Sequence, residues 1–363
     1  MSVLAIGAVL AGMAVLVVGA EALVRGASRL AATAGVSPLV IGLTVVAYGT
    51  SAPELAVSVR DAISGSGEVA VGNAVGSNIF NVLAILGVSA AVGALVVHRR
   101  LVRVDVPLLL AVTVGVWWLA ADGRIGSLEG GVLVAGIVVY SVVSYLLGRR
   151  EPAAVTEEFE QEFGTLPSGE GRTWPVAAGL VGIGLVGLVL GAQLLVSGAT
   201  SIAEDLGVSQ LIIGLTVVAA GTSLPELATS VIATRRGERD IAVGNIIGSN
   251  LFNLLAVLGA SALAGGGIDV PTGAIMTDLP VTLLVTCIAL PALALGLSVA
   301  RWEGILLLAA YLGYVGYLIL DATGNPAAPA GRVWLLASLA LLAVAVTVIG
   351  LAIERRKDPH RPR

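Results

Sequence analysis

Charge is scarce in this sequence: Asp, Glu, Lys and Arg make up 12% of 363 residues, against about 25% in soluble domains. That deficit excludes a water-soluble enzyme, a disordered regulator and a nucleic-acid binder, all of which need a solvated or strongly charged surface. The net charge of -4 is too even to point to a polyanionic partner. Cysteine is nearly absent: the single Cys287 rules out an intrachain disulfide and leaves the redox compartment unspecified. Histidine occurs twice, at 98 and 360, so a site built on imidazole has almost nothing to draw on. Aromatics stand at 4%. What remains is 57% hydrophobic, with 47 glycines and a mean hydropathy of +0.98. This describes an all-α polytopic membrane protein whose small residues let helices pack closely.

A membrane helix needs about 20 apolar residues, and the chain divides into eleven such runs. They fall at 2–24, 36–60, 68–95, 103–121, 126–147, 174–200, 208–234, 240–265, 275–298, 302–320 and 332–353. No basic residue precedes the first run, so it lacks the charged start of a signal peptide. Arg25 and Arg29 follow it, which places the N-terminus outside and the C-terminus in the cytoplasm. Threading the chain through eleven spans puts seventeen of the twenty basic residues on the cytoplasmic side and only Arg60, Arg124 and Arg332 outside. A wrong span count would scramble that bias.

The sequence also repeats itself. Residues 42–90 and 214–262 align without gaps at an offset of 172, with 31 of 49 positions identical. GAEALVRGAS (19–28) matches GAQLLVSGAT (191–200) further upstream. Five spans separate equivalent positions, and an odd number inverts the second copy in the membrane, an architecture of secondary transporters whose binding sites lie at the midplane. The expected organisation is a first repeat at 1–148, an acidic cytoplasmic linker at 149–173, a second repeat at 174–320 and an additional helix at 332–353.

Glu54 and Glu226 are the carboxylates that fall well inside spans, and an ionisable residue there is a functional candidate because exposure to lipid is costly. Each follows a proline. Pro53 and Pro225 remove a helix hydrogen bond and clash with the carbonyls of Gly49 and Gly221, freeing backbone oxygens beside the acids. Helical spacing places Ala47, Thr50, Ser51 and Glu54 on one face, and Ala219, Thr222, Ser223 and Glu226 repeat the pattern. Ser77 with Asn81 and Ser249 with Asn253 add two i, i+4 oxygen-bearing pairs. The inventory is all oxygen, which suits hard cations such as Ca²⁺, whereas Zn²⁺ and copper prefer the His and Cys ligands missing here. Two negative charges would balance one divalent ion or a set of monovalent ions, and competition for the same oxygens is a physical basis for exchange.

GTSAPE (49–54) with GNAVGSNIFN (72–81), and GTSLPE (221–226) with GNIIGSNLFN (244–253), resemble the alpha-1 and alpha-2 repeats of the cation/Ca²⁺ antiporter superfamily, and more narrowly its prokaryotic sodium/calcium exchangers. The resemblance implies a core of inverted five-helix repeats with four cation sites on spans two, three, seven and eight. It implies Glu54 and Glu226 as shared anionic ligands, side-chain oxygens from Asn81, Ser51, Thr50, Ser77, Ser223, Thr222 and Ser249, and carbonyls of Ala47 and Ala219 at the sodium sites. Some relatives carry Asp where this chain has Asn253, so the central site here holds two carboxylates rather than three. The acidic GNxxE pattern of proton-coupled members is absent, which favours Na⁺ as the coupling ion. Also implied are alternating access by sliding of spans one and six, Ca²⁺ extrusion across the plasma membrane, no cofactor, and a monomer without an obligate protein partner.

Plainer roles suit other residues. Asn73 and Asn245 are expected to bond helix to helix, the glycines of the GN and GS pairs to provide packing surfaces, and Asp105 and Asp278 to cap helix N-termini. The acidic stretch from Glu151 to Glu170 lacks an EF-hand spacing and reads as a solvated linker. Competing functions are a proton-coupled divalent cation antiporter, a cation channel and, more remotely, an intramembrane enzyme.

Overall fold

The computed structural model describes residues 3–65, 67–148, 173–294 and 297–357. The acidic stretch at 149–172 and the terminal Arg361 and Arg363 lie outside the described residues. The described chain is helical almost throughout, in eleven segments. The first five are α1 (Val3–Ala34), α2 (Pro38–Thr50 continuing as Ala52–Ser64), α3 (Glu68–Val92), α4 (Leu101–Asp122) and α5 (Ser127–Gly148). The second set is α6 (Thr173–Asp205), α7 (210–221 continuing as Leu224–Arg235), α8 (Arg239–Ala264), α9 (274–294) and α10 (Arg301–Ala322). A final helix, α11 (Ala328–Lys357), packs on α9 and α10.

Several boundaries move from their expected places. α1 runs ten residues past its apolar stretch, so Arg25 and Arg29 sit on a helix rather than in a loop. The Ala-rich segment after Arg25 is a good helix former and nothing stops it before Gly35, whose φ of 64° ends the helix in a left-handed turn. α9 stops earlier than expected, and Ser298 and Val299 form a short strand instead.

Four two-residue strands pair across the repeats: β1 (Leu95–Val96) with β4 (Ser298–Val299), and β2 (Arg124–Ile125) with β3 (Ile268–Asp269). The first pair joins two loops assigned to the cytoplasm by charge, the second two loops assigned outside. Hydrogen-bonded strands must share a membrane side, so the pairing agrees with the inverted arrangement. An ion pair of 3.1 Å between Arg124 and Asp269 clamps the second pair.

Three helices of each repeat contain a π-helical turn at equivalent positions: 42–46, 81–85 and 101–105 in the first, 214–218, 253–257 and 274–278 in the second. Such turns leave carbonyls without their usual partner and recur at functional sites.

The last of them correct the capping assignment. Helix α4 starts at Leu101, four residues before Asp105, which therefore lies inside it with helical φ and ψ and caps nothing. Asp105 is instead buried and accepts a 3.0 Å hydrogen bond from the Tyr140 hydroxyl of α5. Asp278 likewise accepts from Tyr314 of α10 at 3.0 Å. The repeated Asp-x-Pro pattern thus marks a helix-to-helix tie in each repeat.

α1 and α6 pack along their length through glycines spaced by seven: Gly12 and Gly19 face Gly191 and Gly184, Gly26 faces the backbone of Ala177 and Val181, and Gly198 faces that of Ala5 and Val9. A Cβ on Gly12 would lie 2.8 Å from the Gly191 carbonyl oxygen, and one on Gly19 would lie 3.0 Å from that of Gly184. The two backbones touch, as small residues permit in membranes.

Candidate functional site

The site lies where α2 and α7 are broken. In α2 the two halves meet at 47°, and the break falls on Ser51, with φ −85° and ψ 7°. Ser223 repeats it in α7 with φ −92° and ψ 8°. The cause is local: Pro53 and Pro225 sit in the first turn of each second half, a position where a missing amide hydrogen costs nothing. The break delivers Glu54 and Glu226 into the protein centre, 0% and 1% exposed.

Each carboxylate is held by the serine of the other repeat. Ser51 donates to Glu226 Oε1 at 2.7 Å, and Ser223 donates to Glu54 Oε1 at 2.9 Å and lies 3.2 Å from Ser77 Oγ. The Thr50 hydroxyl lies within hydrogen-bonding distance of the carbonyls of Val46 and Ala47 and of Asn245 Oδ1, and Ser249 reaches the Ala47 carbonyl at 3.4 Å. Thr222 contacts Asn73 Oδ1 at 3.5 Å. Ala219 opens the helical turn before Gly221 in the matching place on α7. Nine of the twelve residues singled out by sequence thus meet around the two breaks, Ala219 is placed beside them by its backbone, and Asn81 and Asn253 are buried on α3 and α8 with partners of their own.

Asn73 and Asn245 bond between helices, as expected. Each amide donates to the carbonyl of the glutamate residue opposite, Glu54 or Glu226, and to a serine one turn further on, Ser58 or Ser230. The glycines divide by repeat. Gly244 and Gly248 press on the backbone of α2 between Leu39 and Ala47, whereas a Cβ on Gly72 or Gly76 would meet nothing within 4 Å.

Four buried acceptors at the centre have no hydrogen-bond partner: Glu54 Oε2, Glu226 Oε2, Asn81 Oδ1 and Asn253 Oδ1. An unpartnered buried carboxylate oxygen costs several kcal/mol. All four are oxygens, and two belong to carboxylates. A hard cation is the partner this set fits. Among the described residues no cluster of three His, Cys, Asp or Glu exists, so neutral amide, hydroxyl and carbonyl oxygens must supply the rest of any shell.

Asn78 and Asn250, one turn before Asn81 and Asn253, are functional candidates that the sequence reading missed. Both are buried at 1%, and both bond across the repeats. Asn81 Nδ2 donates to Asn250 Oδ1 at 2.9 Å and Asn253 Nδ2 donates to Asn78 Oδ1 at 3.1 Å. Their presence in both copies of GSNxFN was the available signal.

Comparison with known proteins shows the family. A family model described as sodium/calcium exchanger protein matches residues 4–146 and again 176–320. The sodium/calcium exchanger MaX1 of Methanosarcina acetivorans is 32% identical over 338 residues, covering 84% of this chain and 96% of the relative. The inner membrane protein YrbG of Escherichia coli is 38% identical, covering 78% of this chain and 87% of its own. Among solved structures, the sodium/calcium exchanger from Methanococcus jannaschii superposes with a TM-score of 0.73 at 30% identity, over 87% of this chain and 99% of that one. With the family model matching twice and the fold shared, the chain belongs to the sodium/calcium exchanger family.

Proposed function

We propose that this protein is a secondary active antiporter that exchanges Na⁺ for Ca²⁺ by alternating access, and that it extrudes Ca²⁺ across the cell membrane. The observation that carries the proposal is the cross-repeat pair of buried carboxylates with four unpartnered oxygens around them. Bound cations neutralise these acids, so the loaded site crosses between access states more readily than a bare one, which couples the two fluxes. Glu54, Glu226, Asn81 and Asn253 form the central ligand set. The hydroxyls of Thr50, Ser51, Ser77, Thr222, Ser223 and Ser249 and the carbonyls of Ala47 and Ala219 complete the monovalent positions.

The moving part is the α1/α6 pair, which slides as one body because its backbones interlock through glycine. With the N-terminus outside, the unequal burial of the two sides of the site supports reading this state as outward-facing. The outer part of the site, at Asn73, Gly76 and Thr222, is half-buried, while its inner counterparts Asn245, Gly248 and Thr50 are fully buried. On the inner side α1 is tied to the core: Glu21 pairs with Arg236, and Ser28 bonds Glu238. The repeat-related positions Gln193 and Ser64 are uncharged.

The decisive experiment is radiolabelled Ca²⁺ uptake into proteoliposomes loaded with Na⁺, beside K⁺-loaded and pH-jumped controls, for wild type and Glu54→Gln. Uptake that requires internal Na⁺ and disappears in the variant supports exchange. Uptake driven equally by a proton gradient transfers the protein to cation/proton antiport, and uptake untouched by Glu54→Gln removes the site.

A further inference from the structure

We infer that Asn78 and Asn250 are positioning residues that fix which end of each ligand amide faces the cation, and that Asn78 thereby sets the preference for an amide at position 253. The inference rests on the exchange function proposed above.

An asparagine side chain is a donor at one end and an acceptor at the other, with nearly the same shape, so its neighbours decide its orientation. For Asn81 and Asn253 the wrong orientation would aim an NH₂ group at the site and repel a cation. Both NH₂ groups are held away. Asn81 Nδ2 is occupied by Asn250 Oδ1 and Asn253 Nδ2 by Asn78 Oδ1, which leaves Asn81 Oδ1 and Asn253 Oδ1 as the unpartnered ends. Asn78 cannot turn over freely in response, because its own Nδ2 donates to the backbone carbonyl of Asn250 at 3.1 Å. The order of commands runs from a backbone oxygen that cannot flip, through Asn78, to Asn253.

This chain of bonds also discriminates between Asn and Asp at 253. A carboxylate there would set an acceptor against Asn78 Oδ1. Relieving it by turning Asn78 over would set an acceptor against the Asn250 carbonyl. Each route leaves one buried acceptor–acceptor contact, so the network selects the amide and with it a site of two carboxylates.

The test is a double-mutant cycle read by calorimetric titration of Ca²⁺ into the purified full chain in Na⁺-free detergent, with melting temperatures in parallel. Loss of an outer partner typically weakens metal binding by about 10- to 100-fold. Asn78→Leu should therefore weaken Ca²⁺ binding at least about tenfold in the wild-type background. In the Asn253→Asp background it should cost less than about twofold or improve binding, since the contact it removes is then repulsive. A role confined to packing predicts equal losses in both backgrounds, and that result, or no loss in wild type, would overturn the inference. Should Asn78→Leu not fold, Asn78→Ala takes its place in both backgrounds with the same two expectations, and equal losses in the two backgrounds overturn the inference. Wild-type protein that binds no Ca²⁺ would overturn the exchange function instead, which keeps the two failures distinct.

Discussion

Ser51 donates a 2.7 Å hydrogen bond to Glu226, 175 residues away in the chain. Its counterpart Ser223 returns the same bond to Glu54. Neither repeat completes its own half of the site: each supplies the acid and borrows the hydroxyl that steadies it. Bonds of this kind to charged groups contribute about 1.5–3 kcal/mol. Ser51→Ala and Ser223→Ala are each expected to lower Ca²⁺ affinity about tenfold or more, with the double variant losing less than the product because both act on one cluster. Equilibrium Ca²⁺ binding on purified variants measures this.

The glycine seam between α1 and α6 separates binding from movement. Gly19→Leu places a side chain where even a Cβ would sit 2.8 Å from the Leu188 amide nitrogen. Overpacking of this kind costs about 1–3 kcal/mol and splays the pair. Exchange in proteoliposomes should fall at least tenfold, roughly what 1.4 kcal/mol on the rate implies, while Ca²⁺ binding in detergent changes little. Equal loss of both would show that the seam holds the site and not the sliding body.

The tie between Glu21 and Arg236 is partly exposed, with 32% and 25% of the side chains accessible, and exposed pairs contribute about 0.2–1 kcal/mol. Glu21→Gln should shift the population about two- to fivefold towards the inward-facing state. Labelling of Gly76→Cys by a membrane-impermeant thiol reagent from outside, in a Cys287→Ser background, should slow by that factor. Unchanged labelling would mean that the pair does not distinguish the two states.

Tyr140→Phe and Tyr314→Phe each remove the donor to an aspartate, the buried Asp105 or the half-buried Asp278. Leaving such an acceptor unpaired costs about 1–3 kcal/mol. Thermal melting should show both variants destabilised, with exchange retained in the protein that folds. Had these aspartates been helix caps, the tyrosine variants would have left stability unchanged.

The sequence by itself determined the membrane-helical fold class and its two repeats, and it pointed to eleven spans, to their inversion and to the two acids. Those features are written in local terms: apolar runs long enough to cross a bilayer, an odd count of spans between copies, and a proline beside a carboxylate where lipid tolerates neither. Several relationships were decided only by tertiary structure. The serine of one repeat bonds the acid of the other, Asn78 and Asn250 orient the ligand amides, Asp105 and Asp278 bond tyrosines, and Gly248 packs tightly while its twin Gly76 stays open. In each case a polar or small residue had several possible partners with equal claims on paper. Which partner it meets depends on how two inverted copies cross, and spacing along one helix carries no information about the helix opposite.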